Sequence, residues 1–305
     1  MQMQSNSHDA SETSVIRSLM FVPADSHRKL EKSLASSADA LIFDLEDAVA
    51  PDKKVEARSC LAAFLAKKRR STGKRVFVRL NDLSSGKTLD DLASTMPFRP
   101  DGYVLPKSRS GDDIRTLSLY LDAFEKVYPD DRVKTQIIGI ATETASSVFR
   151  LATYKDASPR LWGLMWGAED LSADLGSRCT QWNEEWTSTF ALARSMCLLA
   201  AANAGVVAID TVSTEIDNAT GLFTVAANAK RDGFGAKAAI HPAQVGIINE
   251  VFAPSAAERD WATRVIDAFR SGAGVATLNG RMLDRPHLML AKRILSDEKD
   301  ATPGE

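Results

Sequence analysis

The chain is short of the residues that would mark several functional classes. Its three cysteines, Cys60, Cys179 and Cys197, are scattered over 305 residues. No C-x2-C spacing suggests a zinc site, and an odd count suggests no disulfide framework. Cys60 and Cys197 fall on apolar helical stretches and read as buried thiols. No apolar run approaches the roughly 20 residues that span a bilayer. The first 14 residues are polar and lack the apolar core of a signal peptide, so a cytoplasmic protein without a membrane partner is expected. A net charge of −2 gives no electrostatic case for nucleic acid. The basic run Lys67-Lys68-Arg69-Arg70 ends a predicted helix, where cations favour the dipole and face water.

What the chain does have is an eightfold rhythm. Short apolar runs at 18–23, 40–45, 75–80, 102–106, 136–141, 161–166, 206–210 and 237–240 are followed, in most cases, by helical spacing. The run Ala40-Leu41-Ile42-Phe43 is apolar throughout, as a parallel strand covered on both faces must be. Helices are predicted at 52–68, 112–127, 144–154, 184–204, 218–231 and 242–252, with Pro242 and Gly233 as start and stop signals. Eight alternations imply an α/β fold, a (β/α)8 TIM barrel over 15–253. Past the barrel come a helix at 255–270, a turn signal at Asn279-Gly280 and a helix at 285–295. These form a C-terminal helical extension or lid arm over 254–296. Residues 1–14 and 297–305 read as tails.

In such barrels chemistry gathers at the C-terminal ends of the strands, where Asp44, Glu46, Asp47, Arg79, Lys107, Glu143, Asp170, Asp210 and His241 fall. Glu143 and Asp170 follow neighbouring strands. Two carboxylates, completed by waters and a chelating substrate, are a usual way to hold Mg2+; each equally suits capping the helix that follows. Arg79 closes an apolar strand, which is costly unless an anion meets it. It suits a substrate carboxylate or developing enolate oxygen, a salt bridge to Asp44, Glu46 or Asp47, or both. Lys107 suits phosphate, carboxylate or solvent. His241, before Pro242, is read as structural, and His27 with Arg28 is a weak signal for an anion.

The chain resembles the citrate lyase β-subunit family of the HpcH/HpaI aldolase superfamily over about 16–295. The resemblance rests on Arg17-Ser18-Leu19-Met20-Phe21-Val22-Pro23, Phe43-Asp44-Leu45-Glu46-Asp47, Val78-Arg79-Leu80-Asn81 and Leu105-Pro106-Lys107. Further along are Glu143-Thr144-Ala145, Gly167-Ala168-Glu169-Asp170-Leu171, Ile209-Asp210-Thr211-Val212, Ile240-His241-Pro242 and Gly280-Arg281-Met282-Leu283-Asp284. It implies a barrel assembling as a homotrimer or hexamer, with Mg2+ on Glu143 and Asp170. Arg79 would contact the substrate, with Arg17 and Lys107 as further substrate-binding candidates. Asp284 would reach a neighbouring subunit's site as acid/base, and Asp44 or Glu46 are the alternatives for that role. The implied reaction is Mg2+-dependent carbon–carbon cleavage of a 3-hydroxyacyl thioester through an enolate. Thioester hydrolysis, malate-synthase-like condensation, and a subunit dependent on an acyl-carrier partner are the alternatives. Departures occur at Ala24, Ser146-Ser147 and Ala236, where added side chains alter the expected thioester surface.

Overall fold

The computed structural model describes residues 15–69, 72–129, 134–182, 185–270, 272 and 274–299. In chain order the first elements are β1 (Ser18–Pro23), α1 (His27–Ser33), β2 (Ala40–Asp44), α2 (Lys54–Lys68), β3 (Arg75–Arg79) and α3 (Thr88–Thr95). There follow β4 (Gly102–Leu105), α4 (Gly111–Val127), β5 (Gln136–Ile140), α5 (Ala145–Val148), β6 (Leu161–Met165) and α6 (Glu169–Leu175). A small hairpin, β7 (Gln181–Trp182) and β8 (Glu185–Trp186), precedes α7 (Ser188–Ala204), β9 (Val207–Asp210), α8 (Ala219–Asp232), β10 (Ala236–Ala239) and α9 (Pro242–Phe252). Among the described residues, eight parallel strands close in the order β1-β10-β9-β6-β5-β4-β3-β2. The expected barrel is present, and its strands lie within a residue of the runs read from sequence.

The strands carry apolar side chains on both faces because both faces are covered. Met20, Leu41, Phe43, Val76 and Val78 join Leu61, Phe64, Leu92 and Ile114 in the layer between sheet and helices. Inside, the Phe77 and Trp162 rings lie 5.8 Å apart. Their strands, β3 and β6, are not neighbours, so this contact fills the barrel interior.

Two predicted helices are broken up. The segment expected as one helix over 144–154 is α5 followed by a 3-10 turn at Leu151–Tyr154. Its path is set by α4, whose first amide, Gly111 N–H, donates to Thr153 Oγ1 at 2.9 Å. A Cβ on Gly111 would stand 2.0 Å from the Thr153 carbonyl oxygen, so glycine permits the approach. The turn also sends the Tyr154 hydroxyl to the Ser108 carbonyl at 2.9 Å. The helix expected from 184 begins at Ser188, because Trp186 pairs with Gln181 in the hairpin; residues 183 and 184 lie outside the described set.

Residues 17–252 form one compact unit and the chain from 253 belongs to a second. Within the second, α10 (Ala256–Ala268) starts at a capping box made by Ser255 and Glu258. Then β11 (Ala276–Leu278) and β12 (Arg281–Leu283) pair antiparallel across Asn279 (φ 51°) and Gly280 (φ 75°), the left-handed pair that a tight hairpin needs. The final helix, α11 (Arg285–Lys299), runs past the expected boundary at 296. Ala262, Val265, Leu283 and Ala291 form its small core. The tail expected over 1–14 lies outside the described residues, as do residues 300–305 of the tail expected over 297–305, whose first three residues continue α11. No described helix is long and apolar enough to cross a membrane.

Candidate active site at the barrel mouth

Asp44 and Arg79 are register partners at the ends of β2 and β3. Parallel pairing therefore sets the guanidinium beside the carboxylate. Arg79 donates through Nε to Asp44 Oδ1 at 2.8 Å and through a terminal nitrogen to Oδ2 at 2.6 Å. Its other terminal nitrogen lies 3.0 Å from Glu46. The guanidinium carbon sits 5.0 Å from the centre of the Phe21 ring. Burial would favour a neutral arginine, but Asp44 and Glu46 outweigh it and raise its pKa further. The salt-bridge reading of Arg79 is thus realised, while the side chain still lines the mouth.

Asp44 itself turns out to be a positioning group. Besides holding Arg79, it accepts the backbone N–H of Glu46 at 2.8 Å and of Ala48 at 3.3 Å. Its side chain is 2% exposed. A general base needs a lone pair facing substrate, and these bonds occupy those of Asp44, which corrects the acid/base expectation for it. Glu46 is similarly enclosed, between Arg79 and the Lys107 ammonium, which forms a close ion pair with it. Burial raises the Glu46 pKa against those cations.

Lys107 is more central than its sequence context suggested. It follows β4 in a left-handed conformation, φ 50°, uncommon for a residue with a Cβ. That twist aims its backbone N–H at the Glu143 carboxylate in a short hydrogen bond. Its ammonium reaches Glu46, Asp47 at 3.3 Å and Asp170 at 3.5 Å. Burial works against its charge, and the Glu46 bond leads the effects that raise its pKa.

Glu143 and Asp170 line one cavity of about 190 Å³ with Arg79, Phe21 and Trp166. The cap alternative is settled for each. Thr144, with Ser147, caps α5, which leaves the Glu143 carboxylate to the mouth. At α6 the cap position is Ala168, with no side-chain cap bond, and Asp170 sits in the first turn. Thr142 Oγ1 accepts the Gly167 N–H at 3.0 Å, tying the β5 and β6 ends together. A Cβ on Gly167 would come within 2.7 Å of Glu143 Cγ, so this approach requires glycine. Burial, then the Asp170 charge, pushes Glu143 well above the ordinary carboxylate range. Like charges on a buried acid and its half-buried neighbour are relieved by a divalent cation. Among the described residues no group of three or more His, Cys, Asp or Glu forms a metal cage. The mouth instead offers two carboxylates with open positions, a donor set that fits Mg2+.

Three further positions lie away from the cavity lining. Arg17 precedes β1, at the strand end away from the mouth, and its guanidinium pairs with Asp39 at 3.1 Å. Its substrate-binding assignment is therefore corrected. His241 takes its structural role, accepting the Ala243 N–H at 3.2 Å on Nδ1. Asp284 lies between β12 and α11, with its carboxylate 2.6 Å from His287 Nδ1.

Sequence reasoning placed Asp210 at a strand end without giving it a role, and missed the buried cluster it anchors. Asp210 on β9 and Lys237 on β10 are register partners, and Lys237 Nζ donates to Asp210 Oδ2 at 2.7 Å. Arg194 Nε and the Trp166 indole N–H also donate to Asp210, at 3.3 and 2.8 Å. Burial alone would raise Asp210, but Lys237 and Arg194 overcome it and lower its pKa. The available signal was Lys237 itself: a lysine inside the apolar run Ala236-Lys237-Ala238-Ala239 requires a buried acid.

By fold and site the protein is a (β/α)8 barrel whose titratable side chains converge on the C-terminal face of the strands. Residues 17–242 match the family described as HpcH/HpaI aldolase/citrate lyase, and the chain belongs to that family. A (3S)-malyl-CoA thioesterase of Cereibacter sphaeroides is 34% identical over 285 residues, covering 92% of this chain and 93% of that protein. The citrate lyase β subunit of Escherichia coli is 33% identical over 289 residues, covering 93% and 94%. The crystal structure of CitE from Mycobacterium tuberculosis in complex with magnesium, acetoacetate and coenzyme A superposes with a TM-score of 0.76. That structure is 30% identical, covering 93% of this chain and 98% of that one.

Proposed function

We propose that the protein is a Mg2+-dependent carbon–carbon lyase acting on a 3-hydroxyacyl thioester of the citryl-, malyl- or citramalyl-CoA type. The observation that carries this reading is the buried Glu143 carboxylate with the half-buried Asp170 on the same cavity as Arg79. Glu143 and Asp170 would hold the metal, which supplies Lewis-acid polarisation of a chelating oxygen when bound. Arg79, fixed by Asp44 and Glu46, presents a permanent cation to the substrate's carboxylate or to developing enolate charge. Lys107 holds Glu143 through its backbone and Glu46 through its ammonium, so the acids are set before substrate arrives. In cleavage the 3-hydroxyl loses its proton, the C2–C3 bond breaks, and its electron pair is left on the thioester enolate. With Asp44 and Glu46 occupied, Asp284 is the base we assign. It would be delivered to the mouth by a neighbouring copy in a homotrimer or hexamer.

The similarity to malyl-CoA thioesterases supports a second reading, hydrolysis of the thioester at the same site. Incubating purified protein with malyl-, citramalyl- and citryl-CoA plus Mg2+ separates the two. Glyoxylate, pyruvate or oxaloacetate release supports the lyase, whereas free CoA without carbon–carbon cleavage supports the hydrolase. Turnover that survives both EDTA and Glu143→Ala would sink the metal reading. Activity on free CoA esters by this chain alone would count against dependence on an acyl-carrier partner.

A further inference from the structure

We infer that the Lys107 ammonium is a built-in counter-cation that competes with Mg2+ for Asp170 and holds down the metal affinity of the mouth, an inference that rests on the functional reading above. The two polar ends of this residue act on the metal pair in opposite senses. Its backbone N–H donates to Glu143 and so orients one of the two acids. Its ammonium stands 3.5 Å from Asp170, the other acid. That separation exceeds the roughly 2.7–2.9 Å of a charge-assisted hydrogen bond. The attraction is therefore one of charge more than of directed bonding. A divalent cation, the larger local charge, can take the place of the ammonium at Asp170.

The ammonium gives up Asp170 without being stranded. It keeps its close ion pair with Glu46 and lies 3.3 Å from Asp47, so its charge stays compensated. Its four-carbon stem is flexible, and Lys107 borders a separate cavity of about 230 Å³ that Asp82 and Asp113 also line. Retreat from the metal pair therefore costs it neither counter-charge nor space. Arg79 is not free to play this part. Its Nε and one terminal nitrogen are bonded to Asp44, and the other terminal nitrogen pairs with Glu46. Lys107 is thus the cation of the mouth that answers to Asp170. Even after yielding that acid, the ammonium stays beside the pair as a positive charge, which bound Mg2+ must tolerate. A site built this way exchanges its metal with solvent more readily than its two carboxylates alone would.

The test is calorimetric titration of Mg2+ into metal-free protein, comparing wild type with Lys107→Met, Lys107→Gln and Lys107→Arg. All three variants retain the backbone N–H that serves Glu143, so the comparison isolates the ammonium. Lys107→Met should bind Mg2+ about tenfold more tightly than wild type or better, the scale of removing one close like charge at a protein surface. Lys107→Gln should tighten binding to a similar degree, and it keeps a polar group in place should the methionine variant fold poorly. Lys107→Arg keeps the charge, so its affinity should stay within about threefold of wild type. Affinity that is unchanged or weaker in the neutral variants would show an ammonium that supports the metal, and overturn the inference. So would equal tightening in Lys107→Arg, which would assign the effect to side-chain shape rather than charge. Wild-type protein that binds no Mg2+ overturns the functional reading itself, and the competition with it.

Discussion

Glu143 and Asp210 are both buried carboxylates near the mouth ends of barrel strands, yet their surroundings push them in opposite directions. Asp210 receives a lysine, an arginine and an indole N–H, and its proton is held less tightly than usual despite burial. Glu143 has, among the described residues, the Lys107 backbone N–H as its hydrogen-bond donor, with Asp170 as a repelling neighbour. A buried acid surrounded by cations is scaffold. A buried acid beside another acid is a donor pair suited to a cation, because the neighbour's charge adds to the cost of burial. Conservative neutralisation of the two should therefore act in opposite ways.

The largest effect is expected from Glu143→Gln. Turnover should fall by about a thousandfold or more, the scale of losing a group that places transition-state charge. In wild-type protein, Mg2+ at a hundred times its Kd should raise Tm by about 5 °C, and the variant should lose that rise. In metal-free protein the sign reverses. A carboxyl with a raised folded pKa has a stabilising contribution that is lost as pH rises through that value. Near neutral pH the glutamine should thus raise Tm, by about 2 °C if roughly 1 kcal/mol is relieved. A Tm that falls in metal-free Glu143→Gln would break the contrast.

Next in size is Asp210→Asn, which leaves the buried Lys237 without its counter-charge and Arg194 with Asp232 alone of its two acids. It should destabilise by about 3–5 kcal/mol, as one-sided removal of a buried ion pair does. A denaturant midpoint unchanged from wild type would show that the cluster is not scaffold.

A smaller effect separates the mouth from the opposite rim, where Arg160 meets Asp122 at 2.5 Å and Glu125 at 2.6 Å. Burial pushes Glu125 up, but bonds from Arg160 and Thr135 hold it at about 2. Its folded pKa lies below the unfolded one. The stability it contributes is complete above the ordinary carboxylate range and lost as pH falls toward about 2. Glu125→Gln should lower the urea midpoint more at pH 7 than at pH 3, and equal losses at both would refute this. Smallest is His241→Ala, which removes a cap-like bond worth about 1 kcal/mol. Its kinetics should match those of wild type; a large fall in kcat would return His241 to the chemistry.

The barrel strands were legible because each is covered on both faces, so local composition and topology agree. Prediction failed where long-range packing overruled local pattern. The 144–154 segment bends to meet Gly111 and Ser108, and neither partner is near in sequence. Among site residues, Glu143, Asp170 and Arg79 follow from strand-end position alone. Arg17 misled because it precedes β1 and so stands at the end of that strand away from the mouth, with its guanidinium held by Asp39. Lys107 was undervalued, since nothing in Leu105-Pro106-Lys107 reveals that one residue serves Glu143 by its amide and Glu46 by its ammonium.

By itself, then, the sequence determined the eightfold alternation and which residues stand at the strand ends, because both are periodic and local. Which of those acids are neutralised and which left wanting was decided by the closed barrel. Register pairs Asp44 with Arg79 and Asp210 with Lys237, while Gly167 lets Glu143 approach the β6 loop. Charge compensation depends on distance through space, and only the tertiary structure sets those distances.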